Sequence, residues 1–140
     1  MAEFRVDGID GVMLSLGEAA EIPEDVLDQM LQAQADIAVP AIKAKGQAYG
    51  LIRTGQMLRS IKAGKPKWAK GVRVQYITPT GSRRRGKTET RNAEIAFIAE
   101  YGKRNQKARP FMRDAIEAAG DSMEQAAAAR YDAWLQSKDL

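Results

Sequence analysis

Apolar positions recur along the chain with two periods, and the switch between them marks out the elements. Val26, Leu27, Met30, Leu31, Gln34, Ile37, Ala38, Ala41, Ile42 and Ala48 follow one another at spacings of three and four. That is one helical stripe of about six turns. Pro23 fits the first helical position, with Glu24 and Asp25 in a first turn where the helix dipole favours negative charge. Pro40 removes a backbone hydrogen bond and crowds the turn before it, so a kink is expected near Asp36 to Val39. A second stripe opens at Pro110 and runs through Met112, Ala115, Ile116, Ala119, Met123, Ala126, Ala127, Arg130, Tyr131 and Trp134. Its helix would be about 40 Å long, against a radius of gyration near ~14 Å for a compact chain of this size. It is therefore expected to project or to pack on a neighbouring subunit, with the alanine-rich stretch Ala126 to Ala129 completed by a partner.

Period two appears elsewhere. Phe4-Arg5-Val6-Asp7-Gly8-Ile9 alternates as a first strand does. Val12, Met13, Leu16 and Ala19 or Ala20 share one side of a short helix over Gly11 to Ala20, ended by Ile22-Pro23. Val72-Arg73-Val74-Gln75-Tyr76-Ile77 reads as a half-buried strand between the turn signals Lys70-Gly71 and Thr78-Pro79. A preceding strand around Ile61 to Trp68 is expected to pair with it, with Trp68 and Tyr76 in the core. Residues 79–92 contain no large apolar side chain, so nothing offsets the entropy of ordering them, and a mobile loop or hairpin tip is expected. Residues 93–101 fit both periods: a strand leading into, or replaced by, a short helix ending at Tyr101, with Gly102 as its stop. The sum is one α+β domain over residues 1–140. A small antiparallel sheet packs against a long kinked N-terminal helix and a long C-terminal helix, with a mobile basic loop.

Composition narrows the chemistry. The 140 residues include no cysteine and no histidine, which excludes disulfide scaffolds, thiol catalysis, serine–histidine hydrolases and the usual zinc sites. No apolar run approaches the roughly 20 residues of a membrane span, and the segment Met1 to Asp10 is acidic rather than signal-like. The chain therefore reads as a cytosolic product with no catalytic, cofactor-binding or metal-binding residues. Carboxylate pairs such as Glu24 with Asp28 and Glu117 with Asp121 read as solvated helix charge. Gly46 to Gly50 and Gly81 to Gly86 lack a phosphate-loop lysine and read as turns or linkers.

Charge is uneven. Residues 1–36 carry nine acids against Arg5, and residues 62–91 carry ten bases against Glu89, within an overall net charge of +4. Lys103, Arg104, Lys107, Arg109 and Arg113 extend the basic part. Two partners suit such a chain, a polyanion on the basic part or a second copy docked head to tail, and the alternative to both is a solvated loop with no partner. Arg83, Arg84, Arg85, Lys87 and Arg91 are the candidate interaction residues. Their composition suits contact with phosphates without base reading, and the absence of interleaved aromatics argues against single-strand stacking.

Two short constellations are more specific. In Thr54-Gly55-Gln-Met57-Leu58-Arg-Ser60-Ile61, Thr54 can cap a short helix that turns Met57, Leu58 and Ile61 inward. In Glu100-Tyr101-Gly102 and, after a basic linker, Ala108-Arg109-Pro110-Phe111-Met112, Gly102 stops one element and Pro110 starts the next. Phe111 and Met112 anchor the long helix. Their order, behind a long N-terminal helix, resembles the minor tail component family of long-tailed bacteriophages, the tail-completion or head–tail joining proteins, over roughly residues 23 to 130. Met57 stands where that family usually has leucine and Lys103 where it has threonine, and the basic insertion at 79–92 is peculiar to this chain.

The resemblance implies a structural, non-enzymatic protein made in the bacterial host cytoplasm and placed at the virion neck or tail. It would form a homo-oligomeric ring with other neck and tail proteins as partners, with no membrane, no cofactor and no small-molecule substrate. Thr54, Gly55, Ser60, Glu100, Tyr101, Gly102, Arg109, Pro110 and Phe111 carry structural roles in this reading. The basic loop docks on a neighbour or touches passing DNA transiently, and docking is favoured because a negative lumen suits sliding DNA better. The alternative is a sequence-independent DNA-binding module using Arg83 to Arg85 with Lys62 to Arg73.

Overall fold

A computed structural model describes residues 2–6, 11–16, 22–51 and 55–138. Along the chain come β1 (Ala2–Val6), β2 (Val12–Leu16), α1 (Glu24–Ala48), α2 (Gln56–Arg59), β3 (Ile61–Ala63), β4 (Lys67–Ala69), β5 (Val72–Pro79), β6 (Ser82–Arg85), β7 (Thr88–Arg91), α3 (Asn92–Tyr101) and α4 (Phe111–Lys138). This is the expected α+β fold, a small antiparallel sheet packed against long N-terminal and C-terminal helices.

The sheet runs β1-β2-β5, all antiparallel, and β3 and β4 share the remaining edge of β5. β4 pairs with Val72 to Val74 and β3 with Ile77 to Pro79. The strand expected around Ile61 to Trp68 is thus present in two pieces. Pro66, in the gap, has no N–H to donate, while the Gly64 amide still donates to the Tyr76 carbonyl at 2.8 Å. Lys70 (φ 51°) and Gly71 (φ 80°) close the β4–β5 hairpin, the paired positive φ values of the two-residue turn that matches strand twist.

Residues 12–16 correct the sequence reading: they form a strand, not a helix. Val12, Met13 and Leu16 fit a helical face, but Val12, Leu14 and Leu16 also fit period two, and these three are fully or almost fully buried. Pairing decides between them, because β2 lies between β1 and β5 with Val12 opposite Ile77 and Leu14 opposite Gln75. The remainder of that expected helix, 17–20, and residues 7–9 of the expected first strand lie outside the described residues.

α1 continues through Pro40 as one helix of 25 residues. α4 does not project. It runs antiparallel to α1, since Gly46 meets Phe111 while Ala33 and Asp36 face Ala126 to Ala133. The expectation of a projecting helix overlooked that α1 is almost as long and can lie beside it. Leu27, Leu31 and Ile42 of α1, Phe111, Met112 and Met123 of α4, and the buried faces of β2 and β5 form one core.

Where α1 crosses β5, the contact is polar and regular. The Trp68 indole N–H donates to Glu24 at 2.6 Å. The Arg73 guanidinium forks onto both oxygens of Asp28 at 2.7 and 3.0 Å. The Gln75 amide donates to Gln32 at 3.2 Å, and Gln32 donates to Asp36 at 2.8 Å. Four residues of helix rise about 6 Å, close to the ~6.7 Å of two residues of strand, so Asp28 and Gln32 meet Arg73 and Gln75, successive same-face residues of β5, while Glu24 meets Trp68, the partner of Arg73 on β4. Trp68 is accordingly not in the core. It is 52% exposed and lies over the Arg73 guanidinium, 5.2 Å from ring centroid to Cζ. Tyr76 is half-buried under Lys67. Arg73, one of the bases expected to face a partner, is only 9% exposed and is neutralised by the chain's own acids.

Candidate assembly surface

The Glu100–Phe111 constellation is a lock between helices. α3 ends at Tyr101, and Gly102 takes φ 77°, ψ 179°, a backbone region nearly confined to glycine. A Cβ there would sit 2.8 Å from both the Ala108 nitrogen and the Gln106 oxygen. Lys103 and Gln106 then bond each other's backbone across a tight turn, and the Arg109 amide returns to the Ala99 carbonyl at 2.6 Å. This brings Pro110-Phe111 under the end of α3. The Glu100 carboxylate accepts the Met112 and Arg113 amides at 2.9 and 3.1 Å, so it caps the first turn of α4. Glu100 is buried, and burial raises its pKa above the usual glutamate range, opposed by those two amides and by the Arg113 charge. The Arg109 guanidinium donates to the Tyr49 carbonyl at 3.1 Å, and the Tyr49 hydroxyl donates to Asp114. One motif therefore fixes α3, α4 and the end of α1 together.

The other constellation is a smaller joint. Gly55 (φ 68°) starts α2, and Met57 and Leu58 are buried; Ile61 is also buried, but as the first residue of β3. Thr54, expected as the cap, lies outside the described residues. The Ser60 hydroxyl donates to the Met57 carbonyl at 2.6 Å and accepts the Thr80 amide at 3.2 Å. Asn92 continues the chain of contacts with its amide side chain on the Thr80 carbonyl at 2.8 Å.

The basic segment 79–92 is a hairpin, the second of the two forms expected for it. β6 and β7 pair from Ser82 opposite Arg91 to Arg85 opposite Thr88, with a turn at Gly86-Lys87. Arg84 is exposed and lies 3.8 Å from Glu89, which also accepts from the Ser82 hydroxyl. Lys87 and Arg91 are exposed as well. Arg83 and Arg85 lie on the same strand at alternate positions. A cavity of about 390 Å³ opens beside the hairpin, walled by Leu51, Met57, Thr90 and Ile95, with Lys103 and Arg109 at its edge.

Next to the hairpin is a feature that motif reading did not single out. α3 is rich in apolar residues on both sides: Ala93, Ala96 and Ala99 face inward, yet Phe97 and Tyr101 are 39% and 49% exposed. Their rings meet at a tilt of 48°, 4.8 Å between centroids. Large apolar side chains grouped on a surface mark an interaction site, and here Phe97 and Tyr101 face solvent together. The signal was legible in Ile95-Ala96-Phe97-Ile98, four apolar residues in a row.

Among the described residues, no group of three or more acids is placed to hold a metal ion, and no helix is long and apolar enough to cross a membrane. Compared with family models, with curated proteins and with solved structures, the chain matches none.

Proposed function

We propose that this protein is a structural component of phage or prophage morphogenesis that completes the tail or joins head to tail by assembling into a ring at the neck. The observation that carries this reading is the division of the surface. The paired helices α1 and α4 expose mostly acids, among them Asp25, Asp36, Glu117, Asp121, Glu124 and Asp132. The hairpin and the turn after α3 expose bases, beside the paired rings of Phe97 and Tyr101. A molecule with opposite charges on separate faces and apolar surface uncovered is suited to heterologous, ring-closing association. The order of the motifs resembling the tail-component family supports the same reading, with Glu100, Gly102, Arg109 and Phe111 holding the helices in place and Tyr101 left exposed.

Removing the hairpin tests the function without removing the fold. The Asn92 amide donates to the Gly81 carbonyl at 3.0 Å, so excising residues 82–91 and closing with Asn-Gly leaves the flanking elements where they are. Particles assembled with that variant are expected to be unjoined or tailless, scored by electron microscopy and plaque count. Normal particle yield would overturn the reading. Duplex DNA binding at micromolar affinity or tighter that falls steeply with salt and disappears with the hairpin would instead establish the DNA-binding module.

A further inference from the structure

We infer that the Phe97–Tyr101 ridge of α3 docks into the groove between α1 and α4 of a second copy of this chain. The inference rests on the ring reading above and names the contact that would build the ring. The groove measures about 360 Å³ and is walled by Ala33, Asp36, Ala126, Ala129, Arg130 and Ala133. Four of its six walls are alanines, which leave room for an aromatic ring, and its two charged residues have opposite sign. The ridge offers the complement. Glu94 precedes Phe97 by one turn on the exposed side of α3, and exposed Lys103 and Arg104 follow Tyr101. Glu94 can meet Arg130 while Lys103 or Arg104 meets Asp36. The wider surfaces agree, because acidic α1 and α4 surround the groove and the basic hairpin adjoins the ridge.

A second ridge is a poor occupant for the first, since it would bring two basic surrounds together. Nor can the contact close within one chain. α3 is bonded to the first turn of α4 through Glu100, whereas the groove begins near Ala126, about 22 Å further along that helix. Ridge and groove are thus separate patches on one molecule. Such a contact repeats from copy to copy and forms a ring or a filament.

The chain contains no cysteine, which makes the geometry directly testable in the full chain. Tyr101→Cys and Ala129→Cys, each prepared alone and then mixed under copper–phenanthroline oxidation, should give a mixed disulfide dimer. That dimer should exceed by at least tenfold the Tyr101→Cys homodimer and the product with Lys70→Cys, an exposed site in the β4–β5 turn, at the end of α1 away from Asp36. Equal yields across these pairs, a dominant Tyr101→Cys homodimer, or no cross-link at all would overturn the inference. Phe97→Arg should weaken self-association of the unmodified surface roughly 30-fold by light scattering, the scale of a buried aromatic hot spot, and Phe97→Tyr should restore it. Association unchanged by Phe97→Arg would likewise overturn it. Particles that depend on the hairpin while no ridge-to-groove cross-link forms would end this contact and leave the ring reading standing. Cross-links in a chain whose hairpin is dispensable for particles would do the reverse.

Discussion

Phe97 and Phe111 are the same residue fourteen positions apart, and they divide the molecule into two regions. Phe111 is 0% exposed, wedged against Gly46 and beneath the end of α3, in a region where helices, sheet and caps satisfy one another. Phe97 is 39% exposed on a helix whose inner side is already filled by alanines. Both regions are built from strongly apolar sequence, and hydropathy alone does not separate them. What separates them is whether the chain itself supplies the covering surface. The α1–α4–sheet region buries its core by contacts within the chain and leaves open only the shallow alanine-lined groove between the helices among its described residues, whereas the α3–hairpin region carries large apolar and basic side chains that the chain leaves uncovered.

The largest effect expected from this contrast is on stability. Phe111→Ala leaves a cavity under the lock and should cost about 4 kcal/mol, a large share of the 5–15 kcal/mol typical of a domain. Phe97→Ala should cost less than ~0.5 kcal/mol, the usual range for an exposed site, while weakening association between copies. Urea unfolding midpoints of the two variants make the comparison. Equal losses would show that α3 is closed from within and would remove the distinction between the regions.

Glu100 joins the two regions, because it belongs to α3 and caps α4. Glu100→Ala leaves two amides without their acceptor and should cost about 2 kcal/mol. Its pH dependence has a definite sign. Burial raises the folded pKa of Glu100, so the folded chain holds that proton more tightly than the unfolded chain does. The contribution is therefore full below the ordinary glutamate range and falls as pH rises through the raised value. The unfolding free energy of the parent protein minus that of Glu100→Gln should accordingly be larger at pH 4 than at pH 7. A difference that stays constant, or grows with pH, would show that the two amides outweigh burial.

The two long helices were legible because each carries an unbroken stripe of period 3.6, a local property that survives in any surroundings. β5 was legible for the same reason at period two, between turn residues that match its ends. β2 was not, since Val12 to Leu16 fits both periods, and only its pairing between β1 and β5 selects the strand. Arg73 looked like one more free cation among ten. Its partner Asp28 lies 45 residues away, and the match between helix rise and strand rise that joins them is invisible until both elements are placed. Trp68 followed from the same pair: the expectation that an aromatic is buried gave way to its use as a cover for a guanidinium. In the candidate surface, the residues Glu100, Gly102, Arg109 and Phe111 stood out as a motif, but the capping of one helix by the carboxylate of another depends on how the chain turns between them. The ridge lay in plain sight as an apolar run and was read only as a secondary-structure ambiguity.

The core of the first region has its own exceptions, and one side chain with both polar atoms dry supplies an expected gain instead of a loss. Gln34 sits in the middle of α1 at 0% exposure, and neither its amide nitrogen nor its carbonyl oxygen has a hydrogen-bonding partner. Leaving such groups dry is costly, and an apolar side chain of the same length removes the cost without opening a cavity. Gln34→Met should therefore raise stability by about 1 kcal/mol, seen as a higher urea midpoint at unchanged slope. If α1 and α4 are closed as tightly as Phe111 indicates, the gain should persist in the Phe97→Ala background, because the two sites share no contact and their effects should add. A midpoint that is unchanged or lower would mean that Gln34 is solvated through an opening between the helices, and the boundary between the two regions would then run through the core instead of beside it.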